Sequence, residues 1–319
     1  MDVVLAEPRG FCAGVYRAIE IVEKALEIYG PPVYVLHEIV HNQRVVEDLK
    51  SRGAIFTEDL NDIPHGSNLI FSAHGVATEK SKQARERNLN VIDATCPLVT
   101  KVHRQVEQHA KRAREVILIG HERHVEVNGT MGHYDKKWGG NIYLVESVAD
   151  VAKLQVKNPL ELAYETQTTL SIDDTKQIID ALRKRFPAIG GPRKDDICYA
   201  TQNRQMAVKQ MMDDIDLLIV VGARNSSNST RLREVGENKG LEAYLVQDAE
   251  DLDQSWFKKS PRVGLTAGAS APEVLVQEVL EKLKQFGVSN IIDMESDPED
   301  VTFPLPLSLR KNNIVKSDS

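Results

Sequence analysis

Only three cysteines occur among 319 residues, an odd number, and no two of them form a C-x-x-C pair. A disulfide-stapled scaffold is therefore not expected. Neither is a structural zinc site, which takes four closely paired ligands. No G-x-x-x-x-G-K-[ST] stretch is present, so any phosphate group must be held without a P-loop lysine. A basic excess is absent as well: 40 Lys and Arg stand against 47 Asp and Glu, a formal net charge of -7. That balance speaks against nucleic-acid binding, while leaving room for one local cleft that takes a small anion. Long apolar runs are missing too. The strongest, Leu217 to Val221, falls far short of the roughly 20 residues needed to span a bilayer. Met1 to Gly10 has no basic n-region, and acidic residues bracket its short apolar run. The expectation is a cytoplasmic protein with no membrane segment.

The remaining composition, 41% hydrophobic and 27% charged, is that of an ordinary globular chain. Short β-branched runs alternate with helix-period segments. Val3 to Ala6, Val33 to Leu36 and Leu69 to Ser72 read as strands. After Gly10-Phe11-Cys12-Ala13-Gly14, the residues Val15, Ala18, Ile19, Val22 and Leu26 fall on one helical face, which Gly30-Pro31-Pro32 ends. Asn42 is placed to cap a helix carrying Val45, Val46 and Leu49. This alternation predicts an α/β fold with mostly parallel sheets.

A rhythm emerges from the polar loops. Cys12, Cys96 and Cys198 each sit between an expected strand and an expected helix, with Pro97 suited to a first helical turn. A second loop residue follows each cysteine at 29, 28 and 28 positions: His41, His124 and Ser226. A third follows at 33, 44 and 44 positions: His74, Thr168 and Ser270. Three copies of one unit are thus expected, at residues 1–90, 91–192 and 193–290, with an irregular tail over 291–319. Ligands of open α/β sheets bind at the carboxyl ends of strands, where these loops lie. Threefold-related units would aim the three cysteines at one point.

Three convergent thiolates can hold an iron–sulfur cluster and leave one iron without a protein ligand. A single cysteine is more often a small buried hydrophobe; three at equivalent loop positions favour the cluster. His41, His74 and His124 recur just past expected strands, and imidazoles donate well to phosphate oxygens. Ser226, Ser227, Asn228 and Ser270 add hydroxyls and amides ahead of helices, where backbone N–H groups also favour an anion. Ser226 and Ser270 would serve equally well as plain helix caps. Together these seven residues make a candidate diphosphate cradle. Glu126, two residues past His124, is the best-placed carboxyl for proton transfer. Thr168, in Thr166-Gln167-Thr168-Thr169, is placed to hydrogen-bond a substrate hydroxyl or hold Glu126.

These residues sit in motifs that resemble a known family. Pro8-Arg9-Gly10-Phe11-Cys12-Ala13-Gly14-Val15, Val40-His41-Asn42, Ser72-Ala73-His74-Gly75-Val76 and Asp93-Ala94-Thr95-Cys96-Pro97-Leu98-Val99 come first. Thr166-Gln167-Thr168-Thr169, Ile197-Cys198-Tyr199-Ala200-Thr201, Asn225-Ser226-Ser227-Asn228 and Thr266-Ala267-Gly268-Ala269-Ser270-Ala271-Pro272 follow. Their order is that of the 4-hydroxy-3-methylbut-2-enyl diphosphate reductases of isoprenoid biosynthesis, and the resemblance runs from Val4 to about residue 290. It implies a trefoil of three α/β domains around a central [4Fe–4S] cluster, with Cys12, Cys96 and Cys198 on three irons and the substrate hydroxyl on the fourth. It implies a two-electron reductive dehydroxylation giving isopentenyl and dimethylallyl diphosphate. Glu126 would deliver protons, Thr168 position the hydroxyl, and His124 share the relay. Ferredoxin or flavodoxin would bring electrons, since the chain has no flavin or nicotinamide fingerprint. Where the family usually has proline before the glutamate, Val125 stands here; removing a fixed φ is expected to alter rate rather than reaction.

Two other readings are open at this point. One is a zinc-dependent hydrolase of a phosphorylated small molecule, with His121, His124 and Glu126 near the metal; the i, i+3 histidine spacing is not H-E-x-x-H. The other is a non-catalytic diphosphate-binding or iron–sulfur sensing protein.

Overall fold

Leu217–Val221 shows why this sequence folds in layers: every residue of it is apolar, and every one is buried. Successive strand side chains point to opposite faces, so both faces of this strand need a cover. Leu217, Ile219 and Val221 pack with Val276, Val279 and Leu283 of the Glu273–Gln285 helix. Leu218 and Val220 pack on the other side with Val208 and Met211 of the Tyr199–Met211 helix and with Leu232 and Val235 of the Ser227–Glu237 helix. Helices on both faces and an unbroken apolar strand are the marks of a buried parallel sheet. The computed structural model describes residues 1–310, apart from the side chain of Lys259.

Three sheets carry the strands. A five-stranded parallel sheet has the order Glu242–Val246, Leu217–Val221, Arg262–Ala267, Asp2–Leu5, Asn290–Asp293. A four-stranded parallel sheet has the order Ala54–Thr57, Val33–Leu36, Asn68–Phe71, Asn90–Asp93. A third orders Ile142–Val145, Glu115–Ile119, Leu162–Thr166. The α/β class expected from the sequence is therefore the class observed. No helix among the described residues is long and apolar enough to cross a membrane.

The chain divides into two compact units. One comprises Met1–Cys12, Val145–Leu160 and Thr166–Asp300, and holds the five-stranded sheet. The other comprises Ala13–Leu144, Glu161–Glu165 and the described residues from Val301 on, and holds the four-stranded sheet.

Sheet membership is offset from the repeat read in the sequence. Asp2–Leu5 lies between Arg262–Ala267 and Asn290–Asp293, so the opening strand closes the last sheet. Asn90–Asp93 closes the sheet of Val33–Leu36. Cys12 and Cys96 thus each follow a strand that completes a sheet built elsewhere in the chain. Cys198, also expected after a strand, follows an irregular stretch instead. There the buried Asp196 carboxylate accepts the Thr166 N–H at 3.0 Å, supplying a partner where a pairing strand would have been.

Other local readings shift by small amounts. The first helix, Ala13–Tyr29, buries Gly14, Val15, Ala18, Ile21, Val22 and Ala25, whereas Ile19 and Leu26 are only half-buried. Asn42 caps the Gln43–Ser51 helix, its side chain accepting the Val45 N–H at 3.2 Å. The tail expected from residue 291 starts as a strand, Asn290–Asp293, and ends its described part in a short turn at Leu307–Leu309. Its last residues, 311–319, lie outside the described residues.

One glycine sets how deeply a cysteine-bearing helix sits. A Cβ on Gly264 would lie 2.5 Å from Ile215 Cδ1 and 2.7 Å from Met211 Sδ, beneath the end of the Tyr199–Met211 helix. Gly264→Ala is expected to overpack this contact, lowering stability by about 1–3 kcal/mol. Urea unfolding measures the loss; an unchanged midpoint would mean that the helix can lift at no cost.

Candidate active site

Each cysteine stands outside any disulfide, at the mouth of a helix. Cys96 and Cys198 are the N-cap residues of the Pro97–Lys111 and Tyr199–Met211 helices, and Cys12 immediately precedes Ala13–Tyr29. Pro97 occupies the first turn, as its fixed φ favours. A helix N-terminus lowers the free energy of a thiolate.

The three backbones are pinned alike. The Cys12 N–H donates to Ala269 O at 3.3 Å, the Cys96 N–H to Ala73 O at 2.9 Å, and the Cys198 N–H to Thr168 O at 2.9 Å. The acceptors belong to the three loops whose spacing stood out in the sequence: Ala269 precedes Ser270, Ala73 precedes His74, and Thr168 is itself a candidate. Each cysteine is therefore tied to the third loop of the preceding repeat, with the first cysteine closing back on the last repeat.

In the second unit, the three candidate histidines meet. Ring centroids lie 4.1 Å apart for His41–His74, 5.6 Å for His41–His124 and 6.2 Å for His74–His124. The Glu38 carboxylate accepts from His41 Nδ1 at 3.0 Å, so that nitrogen carries a proton. His124 Nδ1 accepts the Glu126 N–H at 3.2 Å, so its neutral ring carries the proton on Nε2, which is buried with no hydrogen-bond partner. Burial, with His41 and His121 nearby, pushes His124 down to about 4. Burial, with His41 and His124 nearby, holds His74 well below the usual imidazole range. His74 and His124 are thus desolvated rings that stay neutral at neutral pH. Val125 is the first residue of the Val125–Met131 helix, a position where proline would also fit, and Glu126 follows it, only 3% exposed.

Gly75 allows the His74 loop to turn. It has φ +76°, and a Cβ there would lie 2.5 Å from His103 Cε1. His103, stacked on His133 at 4.0 Å, is driven by burial and by His133 down to about 3.

In the first unit, Ser226 caps Ser227–Glu237 by accepting the Ser229 N–H at 3.4 Å. Ser229 and Ser270 both donate to Ser226 Oγ, at 3.1 and 3.4 Å, so Ser226 and Ser270 are brought together. Ser270 does not cap the Glu273–Gln285 helix, whose N-cap is Pro272. Ser227 turns aside and donates to Thr169 O at 3.1 Å. Asn228 is buried, accepting the Ala269 N–H at 2.8 Å and donating from Nδ2 to Thr201 Oγ1 at 3.3 Å. Thr168 is 4% exposed.

Two arginines escaped the sequence reading. Arg204, fully buried, donates to Gly10 O at 3.0 and 2.8 Å and to Phe11 O at 3.3 Å, the carbonyls just before Cys12. Its remaining donors meet Ala200 O and the Glu299 carboxylate, both at 3.0 Å. Arg17 repeats the arrangement in the other unit. It donates to Ala94 O at 3.2 Å and Thr95 O at 3.1 Å, just before Cys96, and to Pro304 O at 2.9 Å. Each arginine lies five or six residues past a cysteine, at Cys12 to Arg17 and Cys198 to Arg204. That shared offset is the signal that would have found them.

The donor set suits an iron–sulfur cluster: three cysteines outside any disulfide, each at a helix N-terminus, each with a fixed backbone. Among the described residues, no group of three or more His, Cys, Asp or Glu is arranged around a single ion. The zinc alternative at His121, His124 and Glu126 therefore has no ligand group to rest on. Cluster cysteines differ in that each binds its own metal atom.

A family model described as LytB protein matches residues 3–284. The 4-hydroxy-3-methylbut-2-enyl diphosphate reductase of Pseudomonas putida (strain W619) is 59% identical over 315 residues, 99% of this chain and 100% of that protein. The enzyme of the same name from Ectopseudomonas mendocina (strain ymp) is 60% identical over 310 residues, 97% of this chain and 99% of the other. Among solved structures, the E-1-hydroxy-2-methyl-but-2-enyl-4-diphosphate reductase from Plasmodium falciparum superposes with a TM-score of 0.89 at 42% identity, covering 96% of each chain. A (E)-4-hydroxy-3-methyl-but-2-enyl diphosphate reductase, described as the terminal enzyme of the non-mevalonate pathway, gives 0.62 at 32% identity, covering 89% of this chain and 99% of that one.

The buried histidines set an acid limit. Their folded pKa values lie below the unfolded value of 6.5, so below that pH the unfolded chain binds more protons. Their contribution is complete above pH 6.5 and is lost as pH falls toward about 4 for His124 and about 3 for His103. The urea midpoint of the ligand-free protein is expected to drop across this window, and less steeply in His103→Gln; a flat profile would place these rings in water. Removing the buried cation should be costlier. Arg204→Met strands Gly10 O and Glu299, for a loss of about 3–5 kcal/mol in the same assay.

Proposed function

Because the chain belongs to the LytB protein family, we propose that it reduces 4-hydroxy-3-methylbut-2-enyl diphosphate, using a [4Fe–4S] cluster held by Cys12, Cys96 and Cys198. The observation that carries this reading is the set of three equivalent hydrogen bonds from the cysteine N–H groups to the loops of Ser270, His74 and Thr168. They couple each metal-binding residue to a loop that carries a substrate-binding candidate. In the same reading the repeats at 1–90, 91–192 and 193–290 are three pseudo-threefold-related α/β domains, and 291–319 is a C-terminal tail. When bound, the cluster supplies single electrons and a Lewis-acidic iron without a protein ligand.

The protein's own groups do the rest. His41, His74, His124, Ser226, Ser227, Asn228 and Ser270 bind the diphosphate. Because His74 and His124 are neutral and desolvated beforehand, an arriving anion strengthens their hydrogen bonds and draws protons onto their rings. His124 offers Nε2–H in its neutral form. His41 is held beside them by its Nδ1–H, which is committed to Glu38. Thr168, fixed through its own carbonyl to Cys198, orients the substrate hydroxyl.

The reaction consumes two electrons and two protons. The allylic C–O bond breaks, one proton leaves with the oxygen as water, and the other forms a C–H bond, giving isopentenyl or dimethylallyl diphosphate. Glu126, buried beside His124, holds the protons for this relay, with His124 as its partner. Ferredoxin or flavodoxin supplies the electrons, and the reaction belongs in the cytoplasm.

Protein purified without oxygen is expected to carry about four iron and four sulfide per chain and to turn over the allylic diphosphate with a chemical reductant. Cys12→Ser, Cys96→Ser and Cys198→Ser should each abolish turnover, and near-normal activity in any of them would refute the ligand assignment. Glu126→Gln should keep its iron and lose most of its rate; preserved turnover would remove Glu126 from the proton path.

A further inference from the structure

Two groups of one residue reach the sulfur of Cys198. The Thr201 N–H donates to Cys198 Sγ at 3.4 Å, and Thr201 Oγ1 lies 3.2 Å from the same sulfur. The direction of the second contact follows from its neighbours. The Ala269 backbone N–H has only a hydrogen to give, so the Asn228 atom it meets at 2.8 Å is Oδ1. Asn228 must then present Nδ2 to Thr201 Oγ1, at 3.3 Å, so the hydroxyl accepts there. Its own hydrogen is left for the sulfur. Thr201 is 0% exposed and Asn228 4%, so water does not compete for these positions.

We propose that Thr201 is a positioning residue for the Cys198 thiolate, delivering two hydrogen bonds to its sulfur under the direction of Asn228, and that it raises the reduction potential of the group bound there. The inference rests on the cluster assignment above for its redox consequence only. A donor aimed at a ligand sulfur favours the more negative, reduced state. The same relay joins two of the metal-binding segments. Ala269 accepts the Cys12 N–H through its carbonyl and holds Asn228 through its N–H, so Cys12, Ala269, Asn228, Thr201 and Cys198 form one hydrogen-bonded line. Asn228 thus has a structural duty besides its proposed contact with substrate. Thr201 takes one of its two amide hydrogens, and the second is the one a diphosphate would use.

Two variants separate the hydroxyl from the backbone. Thr201→Val keeps the N–H and removes the O–H; Thr201→Ser keeps both. On anaerobic holoprotein at equal iron content, the midpoint potential should shift to more negative values in Thr201→Val and return to that of the parent in Thr201→Ser. In iron-free protein at one neutral pH, alkylation of Cys198 relative to Cys12 should slow several-fold in Thr201→Val, because less thiolate is present, and recover in Thr201→Ser. An unshifted potential together with an unchanged alkylation ratio overturns the proposal, as does a Thr201→Ser protein that behaves like Thr201→Val. If the parent protein binds no iron, the cluster assignment fails, and the alkylation ratio alone decides the role of Thr201.

Discussion

A single backbone contact, made three times, governs this structure: a cysteine N–H donated to the carbonyl of a loop from the repeat before it. A backbone bond fixes a residue where side-chain packing cannot, because it holds the peptide plane and so the direction of the Cα–Cβ bond. The strands, the helix N-termini and the two arginines all serve this contact. Strands Asp2–Leu5 and Asn90–Asp93 carry their chains to it, and Arg204 and Arg17 occupy the two carbonyls just ahead of Cys12 and of Cys96 respectively. With those carbonyls turned toward a cation, the following N–H faces the partner loop.

The electrostatics of the two polar groups are opposite in kind. The cysteines are surrounded by donors: helix N-termini throughout, and at Cys198 a hydroxyl and an amide as well. Burial also depresses the Arg17 guanidinium, while Asp93 and Cys96 pull it back up, which marks a cation close enough to feel that cysteine. In the histidine cluster, His74 and His124 carry no charge at neutral pH, because burial makes a second proton on either ring expensive. Two packed imidazolium rings, and the repulsion between them, are thereby avoided.

Much of this was legible in the sequence, for physical reasons. Leu217 to Val221 announced a strand covered on both faces because it has no polar residue to expose. The spacing of Cys12, Cys96 and Cys198 from later polar loops picked out the loops of His74, Thr168 and Ser270, which accept the three cysteine N–H groups. Asn42 as a cap followed from side-chain chemistry alone. The offset between repeat and sheet was not legible, because strand order depends on which edge is free, and no local pattern records that. Arg17 and Arg204 were missed because a buried arginine looks like a surface one until its acceptors are known, and those lie 77 and 194 residues away. The Cys198 loop misled for a similar reason: Asp196 replaced a strand partner with one side-chain oxygen.

The place of Asp2–Leu5 between Arg262–Ala267 and Asn290–Asp293 has a consequence for how the protein is made. Asp2–Leu5 leaves the ribosome well ahead of Arg262–Ala267 and Asn290–Asp293, and has neither neighbour until they emerge, roughly 15–60 s later at the usual 5–20 residues per second. Throughout that interval Cys12 hangs on an unpaired segment, and Glu299, which closes the pocket of Arg204 behind it, has not been synthesised. Any group that Cys12 helps to hold would therefore be bound after translation, by a chain in which Asp2–Leu5 has already found its neighbours.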